Sequence, residues 1–230
     1  TIGWLLTGNS GTDPSVNFVG TTDNQPLRFR VNNQPAGEIN HITDNTFLGE
    51  RAGENSTGTN NTAMGSQALY TNTSGTGNTA LGLESLYSNK ANSRNTAVGY
   101  QAMYFANDSE TGSNTDNTAV GWQALRGSSP ASENTGKWNA AVGVGALQKN
   151  KTGNANSAIG SSALGNNTTG DYNTAVGSIA LFNNTTGVRN TAIGREAMYH
   201  NKANSRSTAV GFHAMYYAHN SEKEINTYNT

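Results

Sequence analysis

Asn95-Thr96-Ala97-Val98-Gly99 is the phrase whose reading decides the fold of this chain. It returns as Asn78-Thr79-Ala80-Leu81-Gly82 and Asn117-Thr118-Ala119-Val120-Gly121, and in looser form from Asn45, Asn139, Asn156 and Ser207. Ten complete copies are present, closed by Gly49, Gly65, Gly82, Gly99, Gly121, Gly143, Gly160, Gly177, Gly194 and Gly211. The closing glycines lie 16, 17, 17, 22, 22, 17, 17, 17 and 17 residues apart. A fixed period this short marks a solenoid or array, in which each repeat packs mainly on its neighbours. Asn229-Thr230 has the form of an eleventh start, so the chain reads as a piece of something longer.

A second apolar step follows each phrase, as in Gln101-Ala102-Met103, Ser162-Ala163-Leu164 and Ile179-Ala180-Leu181. A polar connector such as Asn183-Asn184-Thr185-Thr186-Gly187 completes the unit. Glycine inside every unit, β-branched residues beside it, and abundant Asn, Thr and Ser all oppose a helix. The pattern predicts an all-β fold, a parallel β-roll or β-solenoid of about ten turns of 17–22 residues. Each turn is expected to hold two short strands with glycine-rich corners, and at ~4.8 Å per turn the rod is roughly 45–50 Å long. Alternation places Thr96 and Val98 on one face, and Asn95, Ala97 and Gly99 on the other. This reading points Val98 and Met103 into the roll. It leaves Ala97, Ala102 and the glycines as a small-residue face against another protomer or the roll's second sheet. The recurring asparagines, Asn61 through Asn190, are expected to stack as an amide ladder. So few small apolar side chains per turn make a weak core, which argues for lateral association of chains.

The two 22-residue spacings add five residues after Met103 and after Leu125. Extra residues in a solenoid leave as loops on one side, so Phe105–Asp116 and Arg126–Trp138 should bulge from adjacent turns, with a third bulge at Tyr217–Tyr228. A longer duplication is visible as well: Tyr87 through Tyr104 returns as Tyr199 through Tyr216, offset by 112 residues. Residues 1–44 lie outside the repeat. There Leu27-Arg28-Phe29-Arg30-Val31 alternates like a half-buried strand, and Asn32-Asn33 turns the chain toward Ala36-Gly37-Glu38-Ile39. These residues read as a small β-hairpin module that connects to or caps the repeat domain of residues 45–230.

Composition narrows the function. Charged residues are 13% of the chain, the net charge is −1, and no cysteine is present. No basic footprint for nucleic acid exists. Thiolate metal sites and disulfides are excluded, and no apolar run approaches the ~18 residues that span a membrane. No nucleophile elbow, phosphate loop or repeating carboxylate pair appears, so neither an enzyme nor a cofactor is expected.

The phrases Asn156-Ser157-Ala158-Ile159-Gly160 with Ser162-Ala163-Leu164, and Asn190-Thr191-Ala192-Ile193-Gly194 with Glu196-Ala197-Met198, resemble the head repeats of trimeric autotransporter adhesins. The resemblance covers about residues 45–230 and implies a left-handed parallel β-roll within a homotrimeric fibre. The present turns are longer than the usual head repeat. The stretch Asn17 to Leu27 looks like the segment before such repeats in tail-fibre-domain proteins of Bacteroidetes-type bacteria and their phages.

Two rows of aromatic residues accompany the repeat. Tyr70, Tyr87, Tyr104, Phe182, Tyr199 and Tyr216 follow the second step, while Tyr100, Trp122 and Phe212 follow the glycine. Packing between turns or chains is their plain reading, and a stacking surface for sugar rings is the functional one. Phe105, Trp138 and Tyr217 are assigned to the long loops, where core packing explains them less well and recognition more often sits. With Asp108 and Glu110 they form the candidate ligand-binding set. Asp108, Glu110 and Asp116 also raise weak calcium binding, against the plainer reading of a solvated acidic loop. His41, His200, His213 and His219 recur at no metal-ligand spacing. The leading expectation is a structural and adhesive segment of an extracellular trimeric fibre, on a bacterial surface or on a phage or phage-like tail. Such a fibre would touch host glycans or a surface receptor through multivalent weak contacts. Two alternatives are a solenoid that binds an ordered surface such as ice through its Thr column, and a fibre enzyme acting on polysaccharide.

Overall fold

The computed structural model of the chain describes residues 9–13, 15–106 and 109–217. One sheet of twelve strands runs through it in chain order. Strands β1 (Leu27–Val31) and β2 (Gln34–Asn40) pair antiparallel, and β2 pairs antiparallel with β3 (Asn45–Leu48). From β3 onward every pairing is parallel. The strands are β4 (Thr62–Met64), β5 (Thr79–Leu81), β6 (Thr96–Val98), β7 (Thr118–Val120), β8 (Ala140–Val142), β9 (Ser157–Ile159), β10 (Thr174–Val176), β11 (Thr191–Ile193) and β12 (Thr208–Val210). Each Thr-x-Val phrase lies in register on the next, Thr79 on Thr96 and Leu81 on Val98 for example. The chain is thus a parallel β-solenoid of about ten turns. Its one helical element among the described residues is a short 3₁₀ turn at Ala131–Glu133.

Each turn contributes one strand, not the two that the sequence pattern suggests. In the second step Gln101 and Met103 sit at φ +52°, and the pair Ser162 and Leu164 at +54° and +51°. Two left-handed residues around one alanine bend the backbone too sharply for a strand. The N–H groups are still satisfied along the rod: Leu86 N–H donates to Ala102 O and Met103 N–H to Ala124 O, both at 3.0 Å.

Met103 points into the roll as expected, and Ala97 and Ala102 pack within it, but the branched residue of the phrase is turned the other way. The alanine of the phrase is buried in every turn that has it, from Ala63 through Ala192, with no accessible surface. The branched residue two positions away from the threonine points outward instead: Ile159 is 49% exposed and Val210 67%. Volume decides this. The strand and the bent second step close on each other at short range, so the space between them admits Ala158, Ala163 and Leu164 but no second branched side chain. The closing glycine is equally constrained: a Cβ on Gly160, at φ +132°, would lie 2.6 Å from the carbonyl carbon of Gly177. The first turn keeps the same total by exchange, with Phe47 where later turns have alanine and Gly53 where they have leucine. A Cβ on Gly53 would strike the Phe47 ring at 2.5 Å.

The asparagine ladder forms, through the backbone as much as through amide–amide contact. Asn173 N–H donates to Asn156 Oδ1 at 2.9 Å, and Asn190 N–H to Asn173 Oδ1 at 3.0 Å. Except at Asn95, whose Nδ2 donates to Ser93 O, each Nδ2 then reaches the connector that follows, as Asn156 Nδ2 does to Gly170 O at 2.8 Å. A second buried ladder, unexpected from the sequence, runs beside it: Asn201 Nδ2 donates to Asn184 Oδ1, Asn184 to Asn167, and Asn167 to Asn150, each at 2.8 Å. A thin apolar core is therefore flanked by two polar seams whose hydrogen bonds link each turn to the next.

Candidate functional surface

The outer face of the strands is the broadest surface the fold presents. Two columns share it. One is the threonine column, with Thr62, Thr79, Thr96, Thr174 and Thr191 half-buried and Thr118 and Thr208 exposed. The other is an apolar column from Leu48 and Met64 through Val142, Ile159 and Ile193 to Val210. Beyond the closing glycine a third row begins. There Leu83, Tyr100, Trp122 and Val144 are exposed on four consecutive turns, and the Tyr100 and Trp122 rings stack at 6.3 Å. An apolar strip that continues over every turn of a rod is uncommon on a soluble monomer.

The aromatics after the second step form two columns. Tyr70, Tyr87 and Tyr104 stack at 5.3 and 5.0 Å, and Phe182, Tyr199 and Tyr216 at 5.6 and 5.3 Å. Their faces are spent on one another. The first column is closed below by the Arg51 guanidinium, 4.5 Å from the Tyr70 centroid, and above by Arg126, 5.6 Å from that of Tyr104. In that first column a sugar ring has no open face, so its residues serve packing. Burial is the main influence raising the Tyr104 and Tyr216 hydroxyl pKa values above the ordinary tyrosine value.

The candidate loop residues do not gather at one place. Phe105 is half-buried, edge-on to Tyr104 at 4.7 Å and 4.8 Å from the Arg126 guanidinium. Glu110 pairs with Lys90 of the preceding turn at 2.8 Å, and Glu133 pairs with Lys151 at 2.6 Å, so the acidic groups of both long turns tie loops to neighbouring turns. Asp116 approaches Arg94 at 3.8 Å. Asp108 and His219 lie outside the described residues, as does the Tyr217–Tyr228 bulge beyond its first residue. Tyr217 is exposed and stacks on His200 at 5.5 Å. Trp138 stands apart. It sits at the corner directly before Asn139 rather than out in a loop, with Tyr172 at the equivalent corner two turns on.

Ionisable groups are few. His213 bonds the Glu196 carboxylate, and Arg195 pairs with it at 2.9 Å. Burial pushes the Glu196 pKa up, but these two partners outweigh it and the net displacement is downward. Among the described residues no group of three or more His, Asp or Glu is placed to hold a metal ion, and no helix is long and apolar enough to cross a membrane. Hollows among the described residues include two of note. One, of about 280 Å³, lies under β1 and β2 beside Arg28, Glu38 and Phe47. The other, of about 30 Å³, opens between the two long turns beside Phe105, Asn134 and Lys151. Compared with known proteins, the chain matches no family model, no curated protein and no solved structure.

Proposed function

We propose that this chain is a segment of a homotrimeric extracellular fibre, carried by a bacterial surface or by a phage or phage-like tail, that holds attachment sites away from the particle. The observation that supports it is the outward apolar column from Leu48 to Val210, set on a rod whose own core, after Phe47 in the first turn, is alanine and leucine or methionine. Chains of identical pitch can lay such columns against one another turn by turn, burying the branched side chains that each chain leaves in water. β1 and β2 act as the connector that covers the open edge of β3, an edge that would otherwise recruit strands from other chains. The role is structural and adhesive rather than catalytic. Sedimentation equilibrium of the full chain tests it: a trimer is expected, and Val142→Asp with Ile159→Asp is expected to give monomers with an unchanged far-ultraviolet spectrum. A monomeric parent chain overturns it.

One observation favours a second reading, in which the same face binds an ordered surface such as ice. Threonine and valine share an outward face, in ranks repeating at ~4.8 Å. This reading requires the face to be free, so it competes with trimerisation. Thermal hysteresis from a monomeric chain supports it, and a trimer without hysteresis eliminates it.

A further inference from the structure

The residue before each ladder position occupies one corner column: Asp44, Asn60, Gly77, Arg94, Asp116, Trp138, Ala155, Tyr172, Arg189 and, before Ser207, Arg206. All ten lie in the left-handed region, with φ between +50° and +64°. Glycine and asparagine adopt that conformation readily, whereas bulky side chains resist it. Trp138 and Tyr172 take it at φ +59° and +58°, and with 59% and 55% of their surface exposed they gain little burial there. The fold does not ask for aromatic rings at this corner. The turn imposes this conformation on whatever stands there, Arg94, Arg189 and Arg206 included, so what sets positions 138 and 172 apart is two exposed rings in one column, a surface suited to a ligand.

Their setting is rigid. The N–H groups of Trp138, Ala155 and Tyr172 donate to Thr115 O, Lys137 O and Asn154 O of the preceding turns at 2.8, 2.9 and 2.9 Å. Arg189, one turn further on, lies over one face of Tyr172 with its guanidinium carbon 5.3 Å from the centroid. Ala155 and Trp138 stand one and two turns back in the same column, on the side of Tyr172 away from Arg189. Two turns separate the aromatic corners by ~10 Å. Carbon–carbon contacts of ~3.5–4.0 Å on each side account for ~7–8 Å of this. A flat aromatic guest would leave the remainder empty, while a puckered sugar ring fills it. Asp171 precedes Tyr172 in the chain. Asp171 Oδ1 accepts from Asn154 N–H at 2.7 Å and from Asn154 Nδ2 at 3.1 Å, which leaves Oδ2 for a hydroxyl.

We propose that Trp138, Ala155 and Tyr172 form a slot that binds one pyranose ring of a host or surface glycan, its C–H faces against the two rings and a hydroxyl on Asp171. The proposal rests on the adhesive reading and gives that reading its contact site. The fluorescently labelled full chain is applied to an array of neutral pyranose oligosaccharides, and Trp138→Asn, Tyr172→Asn and Ala155→Leu are compared with Asn166→Ala. Asparagine occupies the same corner at position 60, so the backbone accepts the first two variants. Each slot variant is expected to weaken binding at least tenfold, with Asn166→Ala unchanged. Glycan binding that survives all three slot variants overturns the slot but leaves the adhesive reading in place. A parent chain that binds no saccharide overturns both. Slot variants that alter sedimentation instead of glycan binding assign the rings to chain association and overturn the slot. So does quenching of Trp138 fluorescence by an aromatic peptide with no response to sugars.

Discussion

At the scale of the residue, asparagine does what hydrophobic side chains do in larger cores. Asn156 is fully buried, yet both ends of its amide are used: Oδ1 accepts from Asn173 N–H and Nδ2 donates to Gly170 O. A buried donor deprived of its acceptor costs more than the bond itself contributed. Asn156→Ala leaves Asn173 N–H without that acceptor inside the stack and is expected to destabilise the chain by about 2–3 kcal/mol, read as a lowered urea midpoint. Asn166→Ala, which removes one 3.3 Å side-chain contact at a half-buried site, is the control and should stay within about 0.5 kcal/mol. The first asparagine seam is legible in the sequence because it belongs to the repeated phrase. The second is not, because its members lie in connectors that differ from turn to turn. Its signal is an asparagine three residues before a connector glycine, as in Asn150 and Gly153, Asn167 and Gly170, and Asn184 and Gly187. Trp138 was legible as an aromatic that the core does not need, but Tyr172 was not, since only the stack brings the two corners into one column.

The element is the turn, and its period was legible where its orientation was not. Ranking side chains by hydrophobicity sends valine inward, whereas the structure turns it outward and gives the inner place to alanine. A solenoid this thin is governed by fixed volume. The inner position is alanine on all nine turns after Phe47, while the outer one varies among Leu, Met, Val and Ile. Constancy marked the inside and variety the outside. The bend at the second step escaped for a related reason: Gln101 and Met103 carry no sequence signature of positive φ, and it is the closure of the turn that imposes it. Because each turn bonds only to its neighbours, a whole turn should be removable. Deleting residues 156–172 joins Ala155 to Asn173, two positions that already meet equivalent partners. That variant is expected to unfold cooperatively with a Tm within a few degrees of the parent. Loss of a cooperative calorimetric transition in that variant would refute the assignment of the turn as the folding unit.

The whole molecule is a one-dimensional stack, and its stability should be distributed accordingly. An interior turn has two neighbouring interfaces, whereas β1 is an edge strand bonded only to β2. Local opening therefore costs least at β1 and most where turns are covered on both sides. Amide exchange is expected to slow from β1 through β3 and to reach a plateau over β6–β10, with Asn139, Asn156 and Asn173 among the slowest because their N–H groups are buried in the seam. The gradient is separable from chain association. The threonine N–H groups beneath the outer face are already bonded within the chain, Thr96 to Asn117 O at 2.9 Å and Thr174 to Asn190 O at 2.8 Å. Covering that face with other chains adds apolar burial without giving these amides new acceptors. It should raise the plateau uniformly in proportion to the trimer population while preserving the slope at β1. Exchange as slow in β1 as in β8 would mean that the rod opens as one unit, and nearest-neighbour stacking would then not describe how it is held together.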